Sequence, residues 1–284
     1  MVHSRSVLVT GGTGNIGSAI VAELVQHDYR VSVLCRSEQN ESRARLMGAE
    51  VVSGGIKEPA AWLEELEHFD ALIHTACGFG QDMGLIDMQF MKAITEDSSK
   101  RLSPLILIYT SGCWVYGNSE QIISEQTAKT PLPEFQWMQD SIDFLQAQPT
   151  IDLRVVSPAN VVSKAQKNVP LILHWELDRC GQPCIPSIAQ LSWSLVERNN
   201  LAELYRLVLE KGQRGEEYIG SGQAKVNVAE LAGQLSPLPI KKVPIDEWCE
   251  HYGAWTEGYA MKQEFSSKKA TTELGWQPRL VFTE

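Results

Sequence analysis

The sequence predicts an α/β fold, a doubly wound parallel sheet with a smaller C-terminal lobe. Three observations carry that prediction. The first is a glycine turn, Thr10-Gly11-Gly12-Thr13-Gly14-Asn15-Ile16-Gly17, set between the apolar run Val7-Leu8-Val9 and a helical apolar pattern at Ile16, Ile20 and Leu24. The second is a series of short, near-continuous apolar runs separated by helical segments, the pattern of a parallel sheet covered on both faces. The third is a change of texture after Pro158, where Pro170, Pro183 and Pro186 punctuate a less regular stretch rich in Trp and Leu.

Taken in order, strands are expected at 31–35, 50–53, 70–74, 105–109 and 153–158, the last ended by Pro158. Arg43 to Met47 suits a short helix stopped by Gly48, and Trp62 to Leu66 is amphipathic and reads as helical. Leu201 to Leu209 is a clear helix, with apolar residues at 201, 204, 205, 208 and 209, and Glu217 to Gly220 reads as a late strand. The expected domains are 1–160, a nucleotide-binding sheet, and 161–284, a substrate lobe interleaved with that sheet and closing over its crevice. Right-handed crossovers put the ligand crevice at the strand C-terminal ends.

Composition narrows the classes. The chain has 284 residues and a formal net charge of −10, which argues against a nucleic-acid surface. No apolar stretch is long enough to span a bilayer and no secretory signal is visible, so a cytoplasmic protein is expected. Six cysteines are scattered and read as free thiols; only Cys180 and Cys184 are close, no second pair completes a zinc pattern, and no metal site is expected.

The glycine turn assigns a cofactor site. An early glycine permits the tight turn, Gly14 lets the backbone approach a pyrophosphate, and Gly17 lets helix pack on strand. The helix N-terminus offers unpaired N–H groups to the phosphates. Gly11, Thr13, Gly14, Asn15, Ile16 and Gly17 are therefore expected to hold a dinucleotide. The second strand ends in Cys35-Arg36-Ser37, where a carboxylate would grip a ribose diol. Arg36 offers a charge-assisted fork for a 2′-phosphate and Ser37 a hydroxyl, so NADP(H) is expected over NAD(H).

Together these features resemble the extended, epimerase/dehydratase-like branch of the short-chain dehydrogenase/reductase superfamily, whose nucleotide domain is a Rossmann fold. Thr10-Gly11-x-x-Gly14-x-x-Gly17 matches its glycine signature. Ile73-His74-Thr75-Ala76-Cys77 is similar to its fourth-strand motif, and Tyr109-Thr110-Ser111-Gly112-Cys113-Trp114-Val115-Tyr116-Gly117 to the segment after its fifth strand. Ser157-Pro158-Ala159-Asn160-Val161 resembles its proline turn, and Leu274-Gly275-Trp276-Gln277-Pro278 its C-terminal packing motif. The resemblance implies further cofactor contacts at Thr75, Ala76, Ser157 and Pro158, a small-molecule substrate, and a homodimer.

The chain departs from the family where the chemistry lies. The family uses a Tyr-x-x-x-Lys pair, in which the lysine lowers the tyrosine pKa so that the phenol can pass a proton. The window expected to carry it, Pro133 to Asp143, contains neither tyrosine nor lysine. The position of the family's catalytic Ser or Thr is Gly112, with Ser111 one residue earlier, and Gly54-Gly55-Ile56 replaces the acid that contacts adenine. Three residues remain as candidate catalysts: Ser111, Tyr116 and His174. Asp140 and Asp143 share a helix face and are expected to face solvent, as are Lys164 and Lys167. Trp114, Trp137, Trp175 and Trp193 suggest a hydrophobic or aromatic ligand.

Two readings stay open. One is an NADP(H)-dependent oxidoreductase acting on a small carbonyl, enone or imine, or a non-redox enzyme that retains the cofactor fold. The other is a non-enzymatic NADP(H) sensor, which would change its partner affinity on binding cofactor.

Overall fold

The computed structural model describes residues 5–78, 80 and 82–282. The chain begins β1 (Ser6–Thr10), α1 (Asn15–Gln26), β2 (Arg30–Cys35), α2 (Glu38–Leu46), β3 (Glu50–Ser53), β4 (Ala71–His74), α3 (Met83–Ser98) and β5 (Leu105–Thr110). It continues β6 (Ile122–Ile123), α4 (Gln136–Gln146), β7 (Ile151–Pro158), β8 (Asn160–Val162), α5 (Leu171–Cys180), β9 (Cys184–Pro186), β10 (Ser192–Glu197) and α6 (Arg198–Lys211). It ends β11 (Glu217–Gly220), β12 (Gln223–Asn227), α7 (Val228–Gly233), β13 (Lys241–Val243), α8 (Ile245–Tyr252) and β14 (Glu264–Phe265).

The main sheet has seven strands in the order β11-β7-β5-β4-β1-β2-β3. The register pairs Val7 with Val31 on one side and with Ala71 on the other, all parallel. The strand order therefore reverses at β1, and the crevice beyond its C-terminal end is the switch point where such sheets take ligands. Every residue of β1 and β4 is buried, as a doubly covered sheet requires.

The expected elements appear with shifted ends. α2 begins five residues before Arg43, because Ser37 Oγ accepts the Asn40 N–H at 3.4 Å and supplies an N-cap. The helix expected at Trp62–Leu66 is instead a pair of 3₁₀ turns, Pro59–Ala61 and Leu63–His68. Proline at the start of the first favours a short tight turn, and Trp62 and Leu66 are its buried anchors.

The chain divides into two compact units whose ranges interleave. The first comprises 1–111, 137–156 and 202–218; the second comprises 112–136, 157–201 and 219–284. The first unit holds the main sheet core, including Leu8, Leu72, Phe90, Leu107 and Leu153. The second carries the three-stranded sheet β12-β10-β8 and the pairs β13-β9 and β14-β6. Its core gathers Val162, Ile172, Trp193, Leu195 and Trp248.

Candidate functional site

The glycine turn is shaped by contacts that no side chain could share. Gly11 has φ +70° and an added Cβ would lie 2.8 Å from the backbone of Thr75 and Ala76. There the ends of β1 and β4 approach closely, and Thr75 Oγ1 donates to the Thr10 carbonyl at 2.7 Å. At Gly17 a Cβ would stand 2.2 Å from the Gly11 carbonyl oxygen, so only glycine lets α1 start this close to β1. α1 is capped by Gly14 with no side-chain hydrogen bond and no acid in its first turn. Its first N–H groups thus face the crevice unsatisfied, ready for an anion. Gly17→Ala is expected to push α1 off the turn, costing about 1–3 kcal/mol of stability and abolishing dinucleotide binding; calorimetry and a thermal melt read both effects.

Two cavities flank this turn, both built wholly from the first unit, and they share Gly11, Gly14, Thr75, Ala76 and Cys77 as a common wall. The larger, about 440 Å³, runs past Thr13 to Arg36, Asn40, Gly54, Gly55, Ile56 and Lys57. The smaller, about 290 Å³, runs past Asn15, Ile16 and Gly17 to His74, Ser111, Trp137 and Met138.

Arg36 ends β2 and its stem lies across Gly55, where an added Cβ would meet the Arg36 Cγ at 2.9 Å. The absence of a side chain at Gly55, within the turn Gly54-Gly55-Ile56, thus admits the arginine stem. Ser37 lines a further recess beside Arg36. Of the nearby acids, Glu41 pairs with Ser53 and Arg45, Glu50 with Arg30, and Asp82 with Lys57, while Glu38 and Glu58 line the same recess as Arg36. The hydrogen bonds from Ser53 and Arg45 hold the Glu41 carboxyl below its usual value.

The smaller cavity is lined in part by a polar cluster that sequence reasoning missed. Asp87, on α3, is 0% exposed. Its Oδ2 accepts the Tyr109 hydroxyl at 2.9 Å and the Ser141 hydroxyl at 2.7 Å. Its Oδ1 lies 3.0 Å from His74 Nε2, and His74 Nδ1 lies 2.7 Å from Thr10 Oγ1. His74 thus bridges Asp87 and Thr10 through its two ring nitrogens. Burial, with Asp87 beside it, raises the Tyr109 phenol well above its ordinary value. The cluster ties the ends of β1, β4 and β5 to α3 and α4 at the cavity floor. A signal existed: Asp87 sits on a helical stripe with Met83, Ile86, Phe90, Met91 and Ile94, where a lone acid needs buried partners.

Of the three candidate catalysts, Ser111 lines the smaller cavity. It is 4% exposed and its hydroxyl has no hydrogen-bond partner. Tyr116 and His174 belong to the second unit. The Tyr116 ring is buried, 6.1 Å from the Phe265 ring and with Lys129 Nζ 5.6 Å from its centroid. His174 on α5 has its Nε2 3.0 Å from the Gln166 carbonyl oxygen. Ser157 and Pro158, at the end of β7, also fall in the second unit. α4 shows Trp137 and Met138 to the cavity, and an added Cβ at Gly84 would strike Trp137 Cβ at 2.6 Å. Asp140 and Asp143 are exposed, as are Lys164 and Lys167.

Trp114, Trp175 and Trp193 belong to the second unit. Trp114 and Trp193 lie 4.8 and 5.0 Å from the Tyr259 ring, and Trp193 Nε1 donates to the Tyr259 carbonyl at 2.9 Å. Trp175 is 42% exposed.

A parallel sheet with a glycine turn at its switch point and an open helix N-terminus is the arrangement in which α/β folds take dinucleotides. Residues 7–136 match the NAD dependent epimerase/dehydratase family. An uncharacterized protein of Saccharomyces cerevisiae is 26% identical over 97% of this chain and 95% of its own length. A dTDP-glucose 4,6-dehydratase of Haemophilus influenzae is 24% identical over 98% of this chain and 95% of its own. Among solved structures, dTDP-glucose 4,6-dehydratase from Streptomyces venezuelae with NAD bound superposes with a TM-score of 0.80, at 21% identity, over 97% of this chain and 92% of that one. UDP-glucose 4-epimerase from Thermotoga maritima does so at 0.77, with 18% identity over 97% and 94%. Among the described residues no helix is long and apolar enough to cross a membrane.

Proposed function

We propose that this chain is an NADP(H)-dependent oxidoreductase acting on a small, hydrophobic or aromatic carbonyl, enone or imine, with an acid/base arrangement unlike the family's Tyr-x-x-x-Lys pair. The observation that carries the proposal is a pair of cavities sharing the glycine turn as their wall, one reaching Arg36 and the other the buried and unpartnered hydroxyl of Ser111. The residues suit the cofactor: glycines whose close backbone contacts shape the turn, an uncapped helix N-terminus for the pyrophosphate, and a guanidinium for the 2′-phosphate.

When bound, the nicotinamide supplies or accepts a hydride. The chain supplies the rest. Ser111 Oγ donates a hydrogen bond to the substrate oxygen or nitrogen as charge develops there. Trp137 and Met138 form an apolar wall that excludes bulk water and selects an apolar substrate. The proton that completes a reduction reaches that atom through a single water bound beside Ser111. The Asp87 cluster holds the cavity floor in one geometry.

The test is NADPH consumption by purified protein against a panel of aromatic and aliphatic carbonyls, enones and imines. Turnover with an apolar member supports the proposal. In that assay Ser111→Ala is expected to lower kcat about 10²-fold, the cost of removing one such donor, with NADPH affinity unchanged. Tight NADPH binding with no consumption across the panel favours the sensor, a reading that the lack of an ionisable α4 side chain in the cavity also supports.

A further inference from the structure

The second unit contains a cluster that the oxidoreductase proposal does not use. Glu176 and Cys180 lie one turn apart on α5 and share a face. Gly181, at φ +68°, ends the helix in the left-handed conformation, and the chain turns back through Pro183 so that Cys184 opens β9. The carboxylate oxygen and the two sulfurs all lie within 4.8 Å of one another. Glu176 and Cys184 are fully buried.

We propose that Glu176, Cys180 and Cys184 form a binding site for a borderline-soft divalent cation of the zinc class. The spacing fits. Cys180 Sγ stands 3.8 Å from Glu176 Oε2, against about 3.5 Å for sulfur and oxygen sharing a tetrahedral zinc with ordinary bond lengths.

The acceptor arithmetic fits as well. Each carboxylate oxygen has two acceptor directions. Oε1 takes Arg179 Nε at 2.7 Å and the Tyr252 hydroxyl at 2.9 Å. Oε2 takes Arg179 Nη2 at 2.8 Å and the Cys180 thiol. The cation takes the place of that thiol proton. Each thiol releases a proton to solvent as its sulfur–metal bond forms, and nothing is oxidised or reduced. Two thiolates and one carboxylate then balance the cation and Arg179, leaving no net charge buried. Arg179 and Tyr252 become the outer partners that orient the ligating carboxylate. The fourth position is left to water. Loop closure across Gly181–Pro183 fixes α5 to β9, so binding stabilises the second unit.

Arg179 and Tyr252 also satisfy Glu176 without a cation, so the sulfurs give the discriminating readout. The experiment uses the full, reduced, tag-free chain. It is titrated with cadmium, following the thiolate-to-cadmium charge-transfer band, and with zinc against a chromogenic chelator while released protons are counted. The expected result is saturation at one equivalent with two protons released and a raised thermal midpoint. Cys180→Ser and Cys184→Ser should each weaken zinc binding at least about tenfold, and Cys249→Ser should leave it unchanged. Zinc binding as tight in the double variant Cys180→Ser/Cys184→Ser as in the natural chain overturns the site. So does the absence of the cadmium band at one equivalent. Neither result bears on NADPH binding, which involves other residues.

Discussion

Replacing Asp87 by alanine is expected to lower the unfolding free energy by about 3–5 kcal/mol, the cost of breaking a buried charged cluster by removing one partner. The carboxylate takes the Tyr109 and Ser141 hydroxyls and faces His74 Nε2, all inside the fold. Alanine removes the partner that each of them meets. Asp87→Asn keeps the volume and one carbonyl oxygen, and the two hydroxyls can rotate to meet the amide. Its expected loss is smaller, about 1–3 kcal/mol. Urea unfolding of both variants reads the difference. A loss below about 1 kcal/mol for alanine would show that water or repacking satisfies the cluster. Because its members end β1, β4 and β5, both variants should also disturb the smaller cavity before the larger one.

Arg36→Asp should weaken NADPH binding about 10–100-fold, the loss of a charge-assisted hydrogen-bonding fork worth about 1.5–3 kcal/mol. NADH, which has a 2′-hydroxyl in place of the phosphate, should bind almost as before, or better if the new carboxylate grips the ribose diol. Equal losses for the two cofactors in parallel titrations would mean that Arg36 merely ends β2 in solvent. Gly55 gives an independent handle: a Cβ there meets the arginine stem, so Gly55→Ala should move in the same direction by a smaller amount.

The sheet was legible because its strands are buried on both faces, which forces continuous apolar runs, and because Gly11 and Gly17 are dictated by backbone contacts that no other residue tolerates. Helix ends were less legible. α2 begins at a Ser37 cap that reads equally well as a cofactor contact, and Leu63–His68 has too few residues for pattern alone to separate α from 3₁₀. The cavity side of the glycine turn was visible in sequence; its floor was not. Asp87, Tyr109, Ser141 and His74 come from four separate elements, and only the crossover topology brings them together. Glu176 was passed over for a related reason. Two cysteines suggest a pair, and the third donor emerges only when the helix register puts residue 176 beside residue 180.

The most direct measurement is calorimetric titration of cofactor-free protein with NADPH and, separately, with NADH. Single-site binding of NADPH, much tighter than that of NADH, is the expected result. Equal affinities, or a preference for NADH, would contradict the role of Arg36, and binding of neither would contradict the dinucleotide site itself.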